Sequence, residues 1–152
     1  MHMAKRKSMQ DDACPVARSL DLVGDRWSML IVRDAFDGIS RFSDFQRNLG
    51  VAKNILSDRL SALVQEGVLT VQPASDGTSY QQYVLTPKGE SLFPVVVALR
   101  QWGERHLFAS GEPHSLLVEK ASGTAVAPML PHDRAGHVLK PAHTVVKKIP
   151  PQ

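Results

Sequence analysis

The chain has 152 residues, a net charge of +3 at pH 7 and a sequence pI near 9.2, which is compatible with a nucleic-acid partner but does not require one. Its single cysteine, Cys14, excludes an intrachain disulfide and a cysteine-rich metal site. No apolar run approaches the roughly 18 residues of a membrane span, and the first residues lack the apolar core of a secretory signal. We therefore expect a cytoplasmic protein without a membrane partner.

Apolar residues at helical spacing predict three helices in the first third of the chain. The first helix has Pro15 in its first turn, where the missing N–H costs nothing. The second helix ends at Gly38. The third is short, with Ser43 as its predicted N-cap, Gln46 three residues later as in a capping box, and an end at Gly50.

A fourth helix is predicted in "VAKNILSDRLSALVQEGVL", and it closes at Gly67. One side carries the apolar residues Leu56, Leu60, Leu63 and Val64, and the other side carries Asn54, Ser57, Asp58, Ser61 and Gln65. The polar side is rich in short hydrogen-bonding groups, whereas a helix that only needs to be soluble usually carries long Lys and Glu. Because only Gly50 and Val51 separate this helix from the third, the pair is a candidate helix-turn-helix. The alternative interpretation of the polar side is a solvated helix surface.

The chain beyond Gly67 predicts a hairpin, a long helix and a short extension. "VLTVQ" and "YQQYVLT" alternate like strands around the polar loop "PASDGTS". A last helix is predicted from Thr86 as N-cap, with Pro87 at its first position, to about Phe108. The tail is rich in Gly, Pro, Ala and Val, and "HSLLVEK", "GTAVAPM" and "HTVVKKI" predict three short strands in it.

Four segments of the chain resemble the HxlR family of bacterial transcriptional regulators. They are "CPVARSLDLVGDRWSMLIVRDAFDG", "RFSDFQRNLGVAKNILSDRLSALVQEGVL", "YVLTPKGESL" and "LRQWGERH", and together they cover about Cys14 to Phe108. The fold class implied is α+β, mainly α: a winged helix-turn-helix with flanking dimerisation helices and a small β-rich C-terminal extension. The domain organisation predicted is a flexible arm over 1–13, a DNA-binding and dimerisation domain over 14–108, and the extension over 109–152.

The resemblance implies a homodimer that represses transcription by binding a pseudo-palindromic double-stranded DNA operator. The fourth helix would be the recognition helix and "QPASDGTSYQQ" the wing. The DNA-contacting residues expected are Arg41, Ser43, Lys53, Asn54, Ser57, Asp58, Arg59, Ser61, Thr78, Ser79 and Gln81. Two features depart from the family: Ala52 stands where a Ser cap is frequent, and the wing sequence "GTSYQQ" lacks the usual Pro and Arg.

The same resemblance assigns the dimer interface to the first and last helices of the core. The interface residues expected are Val16, Leu20, Leu92, Val96, Leu99 and Trp102. An independent observation agrees, because the last helix has a long apolar stripe that the small hairpin cannot cover. These apolar residues are interpreted as core or interface and not as a cofactor site, and no cofactor is expected.

Cys14 precedes Pro15 at a predicted helix start, where the helix dipole and Arg18 favour a thiolate while Asp11 and Asp12 oppose it. Regulators of similar sequence use a cysteine here to sense oxidants, quinones or aldehydes, so a redox sensor or a small-molecule effector is one interpretation. A small residue packed near the dimer interface is the other.

Enzyme and metal chemistry have little support in the sequence. His132, His137 and His143 are scattered without the tight spacing of a zinc site, and no phosphate-binding loop or catalytic elbow occurs. We therefore predict that the protein is not an enzyme. Two alternatives from other classes stay open: a winged-helix module that binds a protein partner, and a thiol enzyme acting through Cys14.

Overall fold

The computed structural model describes residues 7–150. The helices are α1 (Pro15–Val23), α2 (Ser28–Phe36), α3 (Phe42–Leu49), α4 (Lys53–Gln65), α5 (Pro87–Glu90) and α6 (Phe93–His106), and the strands are β1 (Leu69–Pro73) and β2 (Gln81–Leu85). The chain divides into two compact units, Met1–Phe93 and Pro94–Gln152. This division groups most of α6 with the C-terminal extension, whereas the change in composition falls after residue 108. None of the helices between residues 7 and 150 is long and apolar enough to cross a membrane.

The core of the first unit forms where α2, α3, α4 and β1 meet. The side chains of Ile31, Val32, Phe45, Leu56, Leu60, Leu63, Val68 and Leu69 are all almost completely buried. Three of them are the leucines predicted on the apolar side of α4, so that prediction is confirmed. Burying this stripe holds α4 in one rotational setting, because turning the helix would expose the leucines to water.

α3 and α4 form the predicted helix-turn-helix. α3 ends at Gly50, whose left-handed backbone (φ 63°, ψ 28°) suits glycine because it has no Cβ. The predicted capping box on Ser43 is wrong, since α3 begins two residues earlier than a Ser43 cap requires and Arg41 occupies the N-cap position without a side-chain cap. The physical reason lies outside the helix: the Ser40 carbonyl accepts a hydrogen bond from the Tyr83 N–H at 2.7 Å, which holds the preceding chain extended.

β1 and β2 form the predicted antiparallel hairpin, in a register that runs from Leu69 opposite Leu85 to Pro73 opposite Gln81. Thr86 caps α5 as expected, accepting a hydrogen bond from the Gly89 N–H at 3.0 Å. The single long helix predicted from Pro87 is wrong, because α5 and α6 are separate. Pro94 explains the break: a continuous helix would need an N–H at this position, and the proline ring would clash with the carbonyl four residues earlier.

The extension contains no strand between residues 109 and 150. The first two predicted strands are reduced to one isolated bridge, Val118 with Ala125, and the third predicted strand is absent. A second bridge, His132 with Val138, lies where no strand was predicted, and a 3-10 turn spans Pro141–His143. Prolines at 113, 128, 131 and 141 interrupt the extension, and each lacks the N–H that a ladder needs. The prediction that this segment is β-rich is therefore wrong, whereas the predicted α+β, mainly α fold class is confirmed.

Candidate nucleic-acid interface

The side of α4 opposite the buried leucines is open along the whole helix. Its exposed residues include five predicted DNA contacts, Lys53, Asn54, Ser57, Asp58 and Ser61, and also Gln65 near the end of the helix. Thirteen residues at about 1.5 Å per residue make a helix roughly 20 Å long. This surface presents donors and acceptors on a helix that is itself held by the core, and a helix of this kind fits the major groove of B-DNA.

The N-terminus of α4 has no side-chain cap. Ala52 occupies the N-cap position with an extended backbone (φ −61°, ψ 142°), and no side chain there accepts a hydrogen bond. The weaker cap predicted from Ala52 is therefore confirmed. The N–H groups of the first turn are left to other acceptors, and the adjacent Lys53 side chain is exposed. Together they form a positive end that suits an anion such as a phosphate.

Arg59 points away from this polar surface. Its Nη1 lies 3.4 Å from Oδ1 of Asp25, in the loop between α1 and α2, and the arginine side chain is only one-third exposed. The structure thus pairs Arg59 with Asp25. Its expected contact with DNA stays a prediction, and its position on α4 gives it a second role in holding that helix.

Asp25 connects the start of α2 to α4. Its carboxylate accepts hydrogen bonds from the backbone N–H groups of Trp27 and Ser28, both at 3.0 Å, and from the Ser28 hydroxyl at 2.5 Å. Burial raises the pKa of Asp25, but the bonds from Ser28 and Trp27 and the charge of Arg59 outweigh it, so the pKa lies below its ordinary value. The carboxylate is therefore charged at neutral pH and satisfies the otherwise unpaired end of α2.

A second carboxylate connects α2 to α3. Asp34 is almost fully buried; it pairs with the neighbouring Arg33 at 2.9 Å and accepts a hydrogen bond from the Asn48 side chain at 2.8 Å. Asp25 and Asp34 thus hold the two helices of the helix-turn-helix against α2 from different points. The far end of α4 is held by Lys88, whose ammonium donates to the Glu66 carbonyl at 2.6 Å.

Arg41 connects the start of α3 to the wing. Its guanidinium forms an ion pair with Asp76 and lies over the ring of Tyr80, 5.3 Å from the centroid. Asp76 also accepts from the Thr78 N–H at 3.1 Å and the Thr78 hydroxyl at 2.8 Å. These bonds from Thr78, and then Arg41, lower the pKa of Asp76. Two predicted DNA contacts, Arg41 and Thr78, are therefore held by one wing carboxylate.

The remaining predicted contacts near the wing are open. Ser79 and Gln81 are exposed beside the turn, and Ser43 is exposed at the second position of α3. Between residues 7 and 150, no three His, Cys, Asp or Glu side chains come together in a way that could hold a metal ion.

Sequence reasoning missed Asp25 and Asp76 as organising residues. Each had a local signal: Asp25 lies three residues before Ser28, which is capping spacing, and Asp76 precedes Gly77 in a turn dipeptide. Nothing in the local sequence indicated that Arg59 would pair with Asp25 or Arg41 with Asp76.

The predicted interface residues are mostly exposed in the single chain. On α1, Val16 and Leu20 have relative exposures of 65% and 52%; on α6, Leu99 and Trp102 have 56% and 53%. Leu92 and Val96 are half-buried. Cys14 is exposed at the N-cap position of α1, and its N–H donates to the Asp12 carboxylate at 2.8 Å.

Comparison with known proteins agrees with this architecture, since residues 22–110 match the model of the HxlR-like helix-turn-helix family. The chain belongs to this family. Among its relatives, the uncharacterized HTH-type transcriptional regulator Rv3095 of Mycobacterium tuberculosis is 45% identical over 92 residues, which are 60% of this chain and 58% of Rv3095. The chain thus spans less than three fifths of the length of that relative.

Two solved structures extend the comparison. The crystal structure of PA1607, a candidate transcription factor, aligns with a TM-score of 0.88 and 50% identity over 93% of this chain and 99% of its own. The reduced form of the redox regulator HypR aligns with a TM-score of 0.57 and 27% identity over 62% of this chain and 94% of its own. The PA1607 match is long enough to include most of the extension. The winged helix-turn-helix fold and the HxlR family predicted from sequence are confirmed.

Proposed function

We propose that this HxlR-like protein is a homodimeric transcriptional repressor that binds a pseudo-palindromic DNA operator through α4. The observation that carries the proposal is the exposed polar side of α4, opposite three fully buried leucines and preceded by a tight turn from α3. A solvated surface helix would have the same exposure. The helix-turn-helix geometry and the family of transcriptional regulators favour DNA.

Each exposed residue has a chemical role in this proposal. Asn54 can donate to and accept from an adenine edge, and Ser57 can reach several bases. Asp58 repels phosphate but can accept from a cytosine amino group. Lys53 and the uncapped helix start bind a phosphate, while Arg41 and Ser43 contact the DNA backbone and set the register. To contact the DNA backbone, Arg41 exchanges its ion-pair partner Asp76 for a DNA phosphate.

A second copy of the chain is needed to contact both half-sites of a palindromic operator. One chain presents a single recognition helix, and a palindromic operator has two half-sites about one helical turn apart. The exposed apolar residues of α1 and α6 support pairing of two chains, because surfaces such as Leu99 and Trp102 are costly to leave in water. A signal that changes the spacing or angle of the two recognition helices then breaks the register and releases the DNA.

Cys14 is our candidate for receiving such a signal. Its thiol is exposed at the start of α1, a helix assigned to the dimer interface, and the structural neighbour HypR is a redox regulator. With one cysteine in the chain, the oxidised product is a sulfenic acid, an adduct or an intermolecular disulfide. The competing interpretation is a small residue that merely packs near the interface.

The test is a gel shift of the purified protein on the DNA upstream of its own gene and of its neighbouring gene. We expect a specific shift whose affinity falls steeply with added salt, because phosphate contacts release counterions. Repeating it with a peroxide, for the wild type and Cys14→Ser, separates two ideas: loss of binding only in the wild type supports the thiol switch. DNA binding that is unchanged by peroxide would rule out Cys14 as a peroxide sensor but would leave the repressor proposal intact. Salt-insensitive or non-specific binding would favour the protein-partner alternative.

A further inference from the structure

The C-terminal extension (residues 109–150) leaves its apolar side chains in water. Among the described residues from 94 onward, only Val97 is buried. The large apolar residues of the extension that are exposed are Leu116, Val118, Val126, Met129, Leu130, Val138, Val145, Val146 and Ile149. Exposure is greatest near the end of the segment, where Val145 is 86% and Val146 77% exposed. Single exposed apolar residues are common on any protein, but a run of nine in 42 residues is not.

The extension nevertheless follows a defined path. One loop closes around Gly123 through Glu119 N–H to the Thr124 carbonyl at 2.9 Å, and a second closes around Gly136 through Asp133 N–H to the His137 carbonyl at 2.9 Å. These are local turns that need no core. They fix the backbone while the side chains at both loop tips stay exposed.

Side chains of α6 hold the extension along that helix. The Gln101 amide donates to the Ala127 carbonyl at 3.0 Å and accepts from the Met129 N–H at 2.7 Å. Arg100 donates to the carbonyl and hydroxyl of Ser115 at 3.0 and 2.9 Å. The extension is therefore fastened by polar bonds to the helix already assigned to the dimer interface. Ordering a long segment costs conformational entropy, and little apolar burial within the chain offsets it.

The exposed apolar area is large enough for a subunit interface. From residue 95 onward, fourteen large apolar side chains are exposed, and Leu99 and Trp102 of α6 are among them. Together they expose on the order of 1,000 Å² of apolar surface. A standard interface buries about 800 Å² per partner, and the summed apolar area of these side chains is of that size.

We infer that the extension packs on a second copy of this chain and forms, with α6, one continuous interface, with Val145 and Val146 covered by the partner. The inference rests on the homodimer of the proposed function. A second copy is the favoured occupant because the exposed residues continue from α6 within one unit, and a two-fold interface joins such a surface to its own copy. The match to PA1607 also includes most of the extension, so its path is shared by a related protein.

The test is sedimentation velocity of the full chain over a range of concentrations, for the wild type and for Val145→Glu/Val146→Glu. Both residues are exposed in the single chain, so these changes should leave the fold of each subunit intact. The matched control is Ala121→Glu/Ser122→Glu, which adds the same charges to the exposed tip of the first loop. We expect the dimer Kd to rise at least about tenfold in the valine variant and to change less than about twofold in the control.

The outcomes separate this inference from the proposed function. A wild type that is monomeric throughout overturns the homodimer itself. A dimeric wild type whose Kd is unchanged by the valine variant overturns only the role of the extension. Hydrogen exchange gives a second measure: amides around Val145 and Val146 should be slower to exchange above the dimer Kd than below it. Protection that does not change with protein concentration contradicts burial by a second copy.

Discussion

Replacing Asp25 by alanine removes the group that joins the start of α2 to α4. Three donors lose their acceptor: the N–H groups of Trp27 and Ser28 and the Ser28 hydroxyl. Ser28 is 1% exposed, so water cannot readily take the place of the carboxylate. Arg59 loses its ion-pair partner at 3.4 Å in the same step.

The magnitude follows from these contacts. Loss of a side chain that accepts from the N–H groups at a helix start costs about 1 kcal/mol, as loss of an N-cap does, and buried donors left unpaired add about 1–3 kcal/mol. The partly exposed pair with Arg59 adds at most about 1 kcal/mol. Because the three contributions overlap, we expect the free energy of unfolding to fall by about 2–4 kcal/mol for Asp25→Ala. Asp25→Asn keeps an acceptor oxygen and should lose roughly 1 kcal/mol.

Urea unfolding at pH 7, followed by circular dichroism, measures both variants. Asp37→Ala serves as a control, since Asp37 is an exposed acid at the other end of α2 and should change the free energy by less than about 0.5 kcal/mol. If the free energy of unfolding of Asp25→Ala lies within about 0.5 kcal/mol of the wild type, Asp25 neither caps α2 nor anchors α4.

Other predictions test the packing, the wing and the recognition helix. Gly89→Ala should unfold at clearly lower urea concentration, because a Cβ there would meet a backbone carbonyl oxygen at 2.1 Å. Gly103→Ala, with no atom nearer than 3.9 Å to its added Cβ, should be neutral or stabilising by up to about 1 kcal/mol. Equal effects of the two variants would contradict the close packing at Gly89. The pKa of Asp76 is lowered, so its wing contacts contribute stability above its ordinary value of 3.8 and are lost as the pH falls through the lower value in the folded protein. In NMR, the Thr78 amide should therefore titrate with a midpoint below 3.8, and a midpoint at or above it would be inconsistent with this account. On the operator, Asn54→Ala should weaken binding by about 1–3 kcal/mol and relax sequence specificity. Lys53→Ala should weaken binding to all DNA sequences alike and flatten the salt dependence of the affinity. Wild-type affinity and salt dependence in both variants would show that α4 is not the recognition helix.

The local elements of this protein could be predicted because their signals lie within a few residues of one another. Helical spacing of Leu56, Leu60 and Leu63, the glycine that ends α3 and the alternation in the two wing strands each report a short-range preference. The polar side of α4 follows from the same spacing. The break at Pro94 also had a local signal, since proline opposes a continuous helix, but the apolar periodicity on either side masked it.

Contacts between distant parts of the chain depended on the tertiary structure. Arg59 meets Asp25 across 34 residues and Arg41 meets Asp76 across 35, and no periodicity reports which of many exposed charges will pair. The start of α3 was likewise decided by a hydrogen bond from β2 to Ser40. The sequence by itself therefore determined the winged helix-turn-helix and the composition of its polar surface. Only the fold decided which charged groups stay exposed and which brace the helices, because those partners are brought together by burial of the core and not by neighbourhood in the chain.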